Sequence, residues 1–189
     1  MPYERIQSKA DYRRFVQADV AAYGLERVSL RCRMQVDQLR FLLRMRKIEY
    51  LTNCRPWRKA SLLMLEFVNH RLALKLGFSI PKNTFGPGLC IVHRGTVVVN
   101  PGARIGKGCK LHACTNIGDY NGAPVIGDDV YIGPGAKLFG PITIGDNVAI
   151  GANAVVNRSF GSNCTVGGVP ARVLSDRGAR ELEVFCHAD

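Results

Sequence analysis

The chain has 189 residues, 47% of them hydrophobic and 22% charged, a balance that suits a folded domain with its own core rather than a disordered tail. No apolar run approaches the roughly 20 residues of a membrane span, and the start, Met1-Pro2-Tyr3-Glu4-Arg5, lacks the apolar stretch of a secretory leader, so a cytoplasmic protein is predicted. The net charge of +11 is lopsided: residues 1–75 carry 16 Lys/Arg against 7 Asp/Glu, and residues 76–189 carry 10 against 8.

A basic front of this kind attracts nucleic acid, anionic lipid or a phosphorylated ligand, or it is simply a set of solvated helix faces. The cations are spread over helical periods without interleaved aromatics. That excludes single-stranded nucleic acid as a partner and favours solvated faces, with membrane-surface contact left open. The seven cysteines are odd in number and form no CxxC pair, which reads as reduced thiols. Cys109 and Cys114 read as small packing residues.

The first 77 residues read as helical. Ser8 with Asp11 three residues on resembles a capping box. Tyr12, Phe15, Val16, Val20 and Tyr23 follow at helical spacing, and Gly24 ends the segment. A second helix is expected from Arg33 to about Leu51, carrying Val36, Leu39, Leu42, Leu43 and Ile48 on one face. Pro56 suits the first turn of a third, which runs through Leu62, Leu65, Val68, Leu72 and Leu76 to a stop at Gly77.

After Gly77 the composition turns to Gly, Pro, Val, Ile and Asn, and a period of six appears. Val99, Ile105, Leu111 and Ile117 are six apart, as are Ile126, Ile132, Leu138, Ile144, Ile150 and Val156. Three residues are inserted between the two runs. A second column lies four residues after these positions: Ala103, Cys109, Thr115, Val130, Ala136, Ile142, Val148, Ala154 and Phe160. Glycine follows many of the large aliphatics, where it permits a positive φ or a close approach of backbones. Each hexad then supplies a short strand and a tight turn. Three hexads make a coil of about 18 residues, and stacked coils bury a continuous aliphatic column. The predicted fold is a parallel β-helix over residues 78–175, preceded by a helical region (1–77) and followed by a short tail (176–189).

The hexads Ile126-Gly-Asp-Asp-Val-Tyr, Ile132-Gly-Pro-Gly-Ala-Lys and Ile144-Gly-Asp-Asn-Val-Ala resemble those of the hexapeptide-repeat acyltransferases. The segments Leu89-Cys-Ile-Val-His-Arg-Gly-Thr-Val-Val-Val-Asn-Pro and Gly167-Gly-Val-Pro-Ala-Arg are similar to the serine acetyltransferase-like branch, including relatives linked to surface-polysaccharide synthesis. The resemblance implies a left-handed β-helix, a homotrimer and acetyl-CoA as co-substrate, with no metal. It implies that His93 is the general base that deprotonates an acceptor hydroxyl, a task that needs an imidazole titrating near neutral pH; the bland alternative is a structural histidine. His112 either lines the acceptor site or is a plain surface side chain. Asn116, Asp119 and Tyr120 are acceptor-side candidates, the last two in the insertion, since extra residues in a solenoid tend to sit on the binding face. Gly133, Pro134, Gly151 and Ala152 are expected to offer backbone groups to the pantetheine arm. Arg158 and Arg172 either meet the nucleotide phosphates or are solvated.

Two features depart from the serine enzymes of the cysteine pathway. Phe78-Ser79-Ile80-Pro81 lacks their acid, and Val92 stands where an acid precedes the catalytic histidine. Asn121-Gly122-Ala123-Pro124 also lacks the Arg-His pair that helps hold serine. The acceptor expected from the sequence is therefore a glycan hydroxyl. Serine is the alternative, and a non-enzymatic trimeric scaffold with a basic helical face is a third reading. A β-helix carbonic anhydrase would need three metal histidines, and the repeats hold two.

Overall fold

The computed structural model describes residues 4–29 and 35–182. Three helices come first: α1 (Lys9–Ala22), α2 (Asp37–Cys54) and α3 (Lys59–Leu76). The Ser8 hydroxyl accepts from the Asp11 N–H at 3.0 Å and donates to the Asp11 carboxylate at 2.9 Å, so the expected cap of α1 is made in both directions. Gly77, at φ 79°, closes α3 in the left-handed conformation that a residue without Cβ adopts freely. The start foreseen at Arg33 lies outside the described residues, and α2 is described from Asp37. One boundary differs from expectation. Pro56 sits in a turn ahead of α3, whose first residue is Lys59.

The rest of the chain winds through three sheets. Sheet A holds β1 (Phe78–Ser79), β3 (Val97–Val99), β6 (Thr115–Gly118), β9 (Lys137–Phe139) and β12 (Val155–Val156). Sheet B holds β4 (Arg104–Ile105), β7 (Val125–Ile126) and β10 (Thr143–Ile144). Sheet C holds β2 (Cys90–Ile91), β5 (Lys110–Leu111), β8 (Tyr131–Ile132), β11 (Val148–Ile150), β13 (Cys164–Gly167) and β14 (Arg172–Ser175). The chain visits A, then B, then C on each coil, the B position of the first and last coils being a single bridge, Phe85 to Ile105 and Phe160 to Ile144, and all neighbours are parallel except β14, which folds back antiparallel on β13. Regular coils pair residues 18 apart, as Val99 with Ile117 and Ile132 with Ile150. The three inserted residues lengthen one coil, so Ile117 pairs with Leu138. All ten aliphatics of the main column are buried, as are the second-column residues from Ala103 to Ala154, with Phe160 partly buried. Each such Leu, Ile or Val contributes roughly 1.5–3 kcal/mol of transfer free energy.

Where glycine follows an aliphatic at Gly106, Gly127, Gly133 and Gly145, it serves close packing. A Cβ on Gly133 would stand 2.7 Å from the Ile150 carbonyl oxygen, and one on Gly127 would stand 2.8 Å from the Gly145 backbone. Positive φ falls elsewhere in the turn, at Asp129, Asn147 and Asn163, residue types that tolerate it. Cys109 is buried in the coil, and burial pushes its thiol up to about 12, as befits a packing residue. Cys114 is exposed, contrary to the packing role expected of it. The reduced state also fails at one position: Cys90 is disulfide-bonded.

The helices close the first coil. Arg46 is fully buried; its guanidinium donates to both carboxylate oxygens of Asp19, to Glu49, and to the carbonyls of Phe85 and Gly86. Asp19 also accepts from the N–H groups of Gly88 and Leu89. The Tyr23 hydroxyl accepts from the Ile91 N–H and donates to its carbonyl. A bare solenoid end would present these groups unpaired, which invites edge-to-edge association. The reading of the front's cations as solvated thus fails at Arg46, whose burial is set by partners 27 and 40 residues away.

Candidate functional site

The passage from sheet C to sheet A makes one corner of every coil. His93 lies at that corner on the first coil, between β2 and β3; His112 follows β5 on the second. Gly133 and Pro134 follow β8 on the third, and Gly151 and Ala152 follow β11 on the fourth. Residues scattered over some 60 positions therefore stack in one column, with a rise of about 4.8 Å per coil. The imidazoles of His93 and His112 meet edge to face with centroids 5.7 Å apart, and His112 meets the Tyr131 ring in the same manner at 5.2 Å.

His93 is exposed on a turn longer than its successors, because Ile91 and Leu111 are paired 20 residues apart instead of 18. The turn is pinned from both sides: the Gly95 N–H donates to the Leu76 carbonyl at the end of α3, and the Val92 N–H to the Leu111 carbonyl. His112 is half-buried, and its backbone is held by the Ile132 carbonyl and the Thr115 hydroxyl. Burial, and secondarily the neighbouring His93, lower its pKa from the ordinary 6.5. His112 therefore favours the neutral imidazole, which can accept from a neighbouring N–H or from a substrate hydroxyl. Among the described residues no carboxylate forms an ion pair with His93, in keeping with the missing family acid.

The acceptor-side candidates separate. Asn116 is exposed on the outer face of sheet A, in register with Val98 and Lys137. Asp119 and Tyr120 occupy the loop between sheets A and B, where Asp119 accepts from the Gly122 N–H and the Tyr120 ring is exposed. The width of sheet A lies between that loop and the histidines of the same chain.

The expected backbone contacts to the pantetheine arm also change. Gly133 and Gly151 already donate their N–H groups to the Ile150 and Val166 carbonyls, so neither presents a donor outward. Pro134 has no N–H to offer. Ala152 is exposed, and its N–H takes no part in the ladder among the described residues. The two arginines part as well. The Arg158 guanidinium donates to the Ala171 carbonyl and lies over the Phe160 ring, which ties down the end of the coil. Arg172 is exposed and paired in register with Gly167, at the foot of the histidine column. Two features escaped sequence reasoning: Tyr131, which extends the aromatic contact down the column, and the two-residue lengthening of the His93 turn. The second was legible as an eight-residue step from Ile91 to Val99 in a period of six.

Comparison with known proteins agrees with this architecture. Residues 123–158 match the family model described as bacterial transferase hexapeptide (six repeats). A serine acetyltransferase of Synechococcus elongatus is 36% identical over 119 residues, covering 60% of this chain and 49% of that protein. One from Staphylococcus xylosus is 38% identical over 112 residues, covering 57% and 52%. The chain spans about half the length of these curated relatives. Among solved structures, soybean serine acetyltransferase superimposes with a TM-score of 0.71 at 27% identity, both as apoenzyme and complexed with serine, over 88% of this chain and 70% of the other.

Proposed function

We propose that this chain, which is similar to the serine acetyltransferase-like branch of the hexapeptide-repeat acyltransferases, is an acetyl-CoA-dependent O-acetyltransferase. The observation that carries this reading is the single column of His93, His112 and the corner at Ala152 on one edge of the β-helix. His93 removes the proton from the acceptor hydroxyl as that oxygen attacks the thioester carbonyl. A tetrahedral oxyanion forms, which hydrogen-bond donors aimed at it would stabilise. The intermediate collapses with departure of the CoA thiolate, which takes the proton back from the imidazolium. Ala152 and Arg172 are the positions suited to the pantetheine arm and the nucleotide phosphates, by an unspoken-for N–H and by a bidentate guanidinium. The corner is open in a single chain, and the resemblance implies a homotrimer in which a second copy completes the cleft.

Serine is the acceptor that the relatives' names and the serine-bound soybean structure support. The sugar hydroxyl expected from the sequence finds no such support. It stays as the second reading because of one observation: the loop from Asp119 to Pro124 has no cation to meet a serine carboxylate, but it does present an exposed Tyr120 ring that can stack on a sugar. The test is thiol release from acetyl-CoA with serine, nucleotide sugars and oligosaccharides offered separately. His93→Ala is expected to lower kcat/KM by roughly 10²–10⁴-fold; since the side chain is exposed, the variant should fold. Wild-type turnover in His93→Ala would overturn the general-base assignment. Turnover with sugars but not with serine would overturn the preferred acceptor.

A further inference from the structure

The outer face of α3 is apolar and has no partner among the described residues. Leu63, Met64 and Leu74 are each 66% exposed, and Phe67 between them is 60% exposed. Their spacing of three, four and seven residues puts them on one stripe, opposite the buried side formed by Asn69, Leu72 and Leu76. The charges that share this outer face are Lys59, Arg71 and Lys75, all positive, with Lys75 paired to Asp37 at 3.5 Å. The one acid of the helix, Glu66, sits on its flank and is paired with Lys82 at 2.9 Å. The turn leading into α3 adds Arg55, Arg58 and an exposed Trp57.

We propose that this face docks on an anionic membrane surface, with Leu63, Met64, Phe67 and Leu74 entering the headgroup boundary and Arg71 and its neighbours meeting lipid phosphates. Large apolar residues rimmed by cations on one side of a helix are what such a surface selects. A second copy of the chain fits less well. A two-fold contact pairs the same patch with itself, and here that would bring cationic rims together, since the bordering acids, Asp37 and Glu66, are already paired within the chain. The helix is too rich in charge to cross a bilayer; no described helix is long and apolar enough to do so. Since the end of α3 is hydrogen-bonded to the His93 turn, the docked surface would lie within roughly one helix length, about 27 Å, of that histidine. The proposal does not depend on acetyl transfer.

Flotation of the full chain tests it, with vesicles of phosphatidylcholine alone and with about 30 mol% phosphatidylglycerol. The expected result is binding to the anionic vesicles only, weakened at about 1 M salt. Arg71→Glu should weaken binding by about tenfold or more, since each cation near the surface is worth about fivefold and the substitution reverses a charge. Phe67→Asp should abolish binding, while its circular dichroism and its acetyl transfer to a soluble acceptor stay as in the wild type. The proposal is overturned if the wild type fails to float with anionic vesicles, or if Phe67→Asp floats unchanged. It is equally overturned if Phe67→Asp lowers the oligomeric state in sedimentation, which would identify a second copy as the occupant of the face.

Discussion

Arg46→Met is the sharpest perturbation of the helical cap. The wild-type guanidinium is fully buried, as is Asp19, and Glu49 is nearly so. Burial alone would push the Arg46 pKa down; Asp19 and Glu49 more than offset this and hold it above its ordinary value. Methionine fills much of the same volume but leaves two buried carboxylates without a cation and removes a donor from the Phe85 and Gly86 carbonyls. Removing one partner of a buried pair costs about 3–5 kcal/mol, and each carbonyl left unpaired costs about 1–3 kcal/mol. These costs overlap because the same site relaxes, so a loss of about 5 kcal/mol is expected, a large part of the roughly 5–15 kcal/mol that holds a domain together. Lysine should not rescue the site, because three donors on one ammonium cannot reproduce five directed N–H groups. The assay is urea unfolding at fixed protein concentration, followed by circular dichroism. Amide exchange at Gly88 and Leu89, whose N–H groups Asp19 accepts, reports the local opening. Arg14→Ala is the control: its ion pair with Glu4 is about half exposed on both sides and should contribute less than about 1 kcal/mol. An Arg46→Met protein within about 1 kcal/mol of wild type would refute the claim that this network fastens the helices to the first coil.

Two further outcomes follow from the titrating groups. Ser8→Ala should destabilise α1 by about 1 kcal/mol in urea unfolding. The Ser8 hydroxyl holds the Asp11 carboxyl below its ordinary value of 3.8, so their contribution is present above that pH and lost as the pH falls through Asp11's lower folded value. The acid limb of stability should accordingly be shallower in the variant; an identical limb would refute the assignment. By NMR, His112 should titrate below 6.5, and His93→Ala should move it only part of the way back, because burial is the larger cause. The folded state should lose stability as the pH falls through 6.5, where the unfolded chain takes up its proton first, and the loss should level off below the folded value of His112. A His112 titrating at or above 6.5 would contradict the burial argument.

The β-helix was legible because its signal is local and repeated. An inward aliphatic every six residues has one physical reading once the period excludes an amphipathic helix. The capping box and the stop at Gly77 were legible for the same reason, since both depend on residues within one turn. At Gly133 the sequence leaves two readings open, because a glycine required by the packing of coils leaves the same mark as one offered to a ligand. Val68 shows the limit of periodicity: counted among the core positions of the third helix, it lies at the edge of the exposed stripe.

The sequence by itself determined the coil. Side chains six residues apart must stack inward when each hexad carries one strand and one turn, and no distant contact is needed to see it. It also marked His93 as the residue with suitable chemistry. Only the tertiary structure decided what shares a corner. Residues 18 to 21 positions apart become neighbours through coil length, so the two-residue excess before Val97 and the insertion after Ile117 settle which side chains meet. The tertiary structure likewise decided the fate of the charges. Arg46 and Arg71 look alike in a helical pattern. One is buried because Asp19 and two carbonyls converge on it from other elements, and the other is left on an open face because nothing among the described residues does.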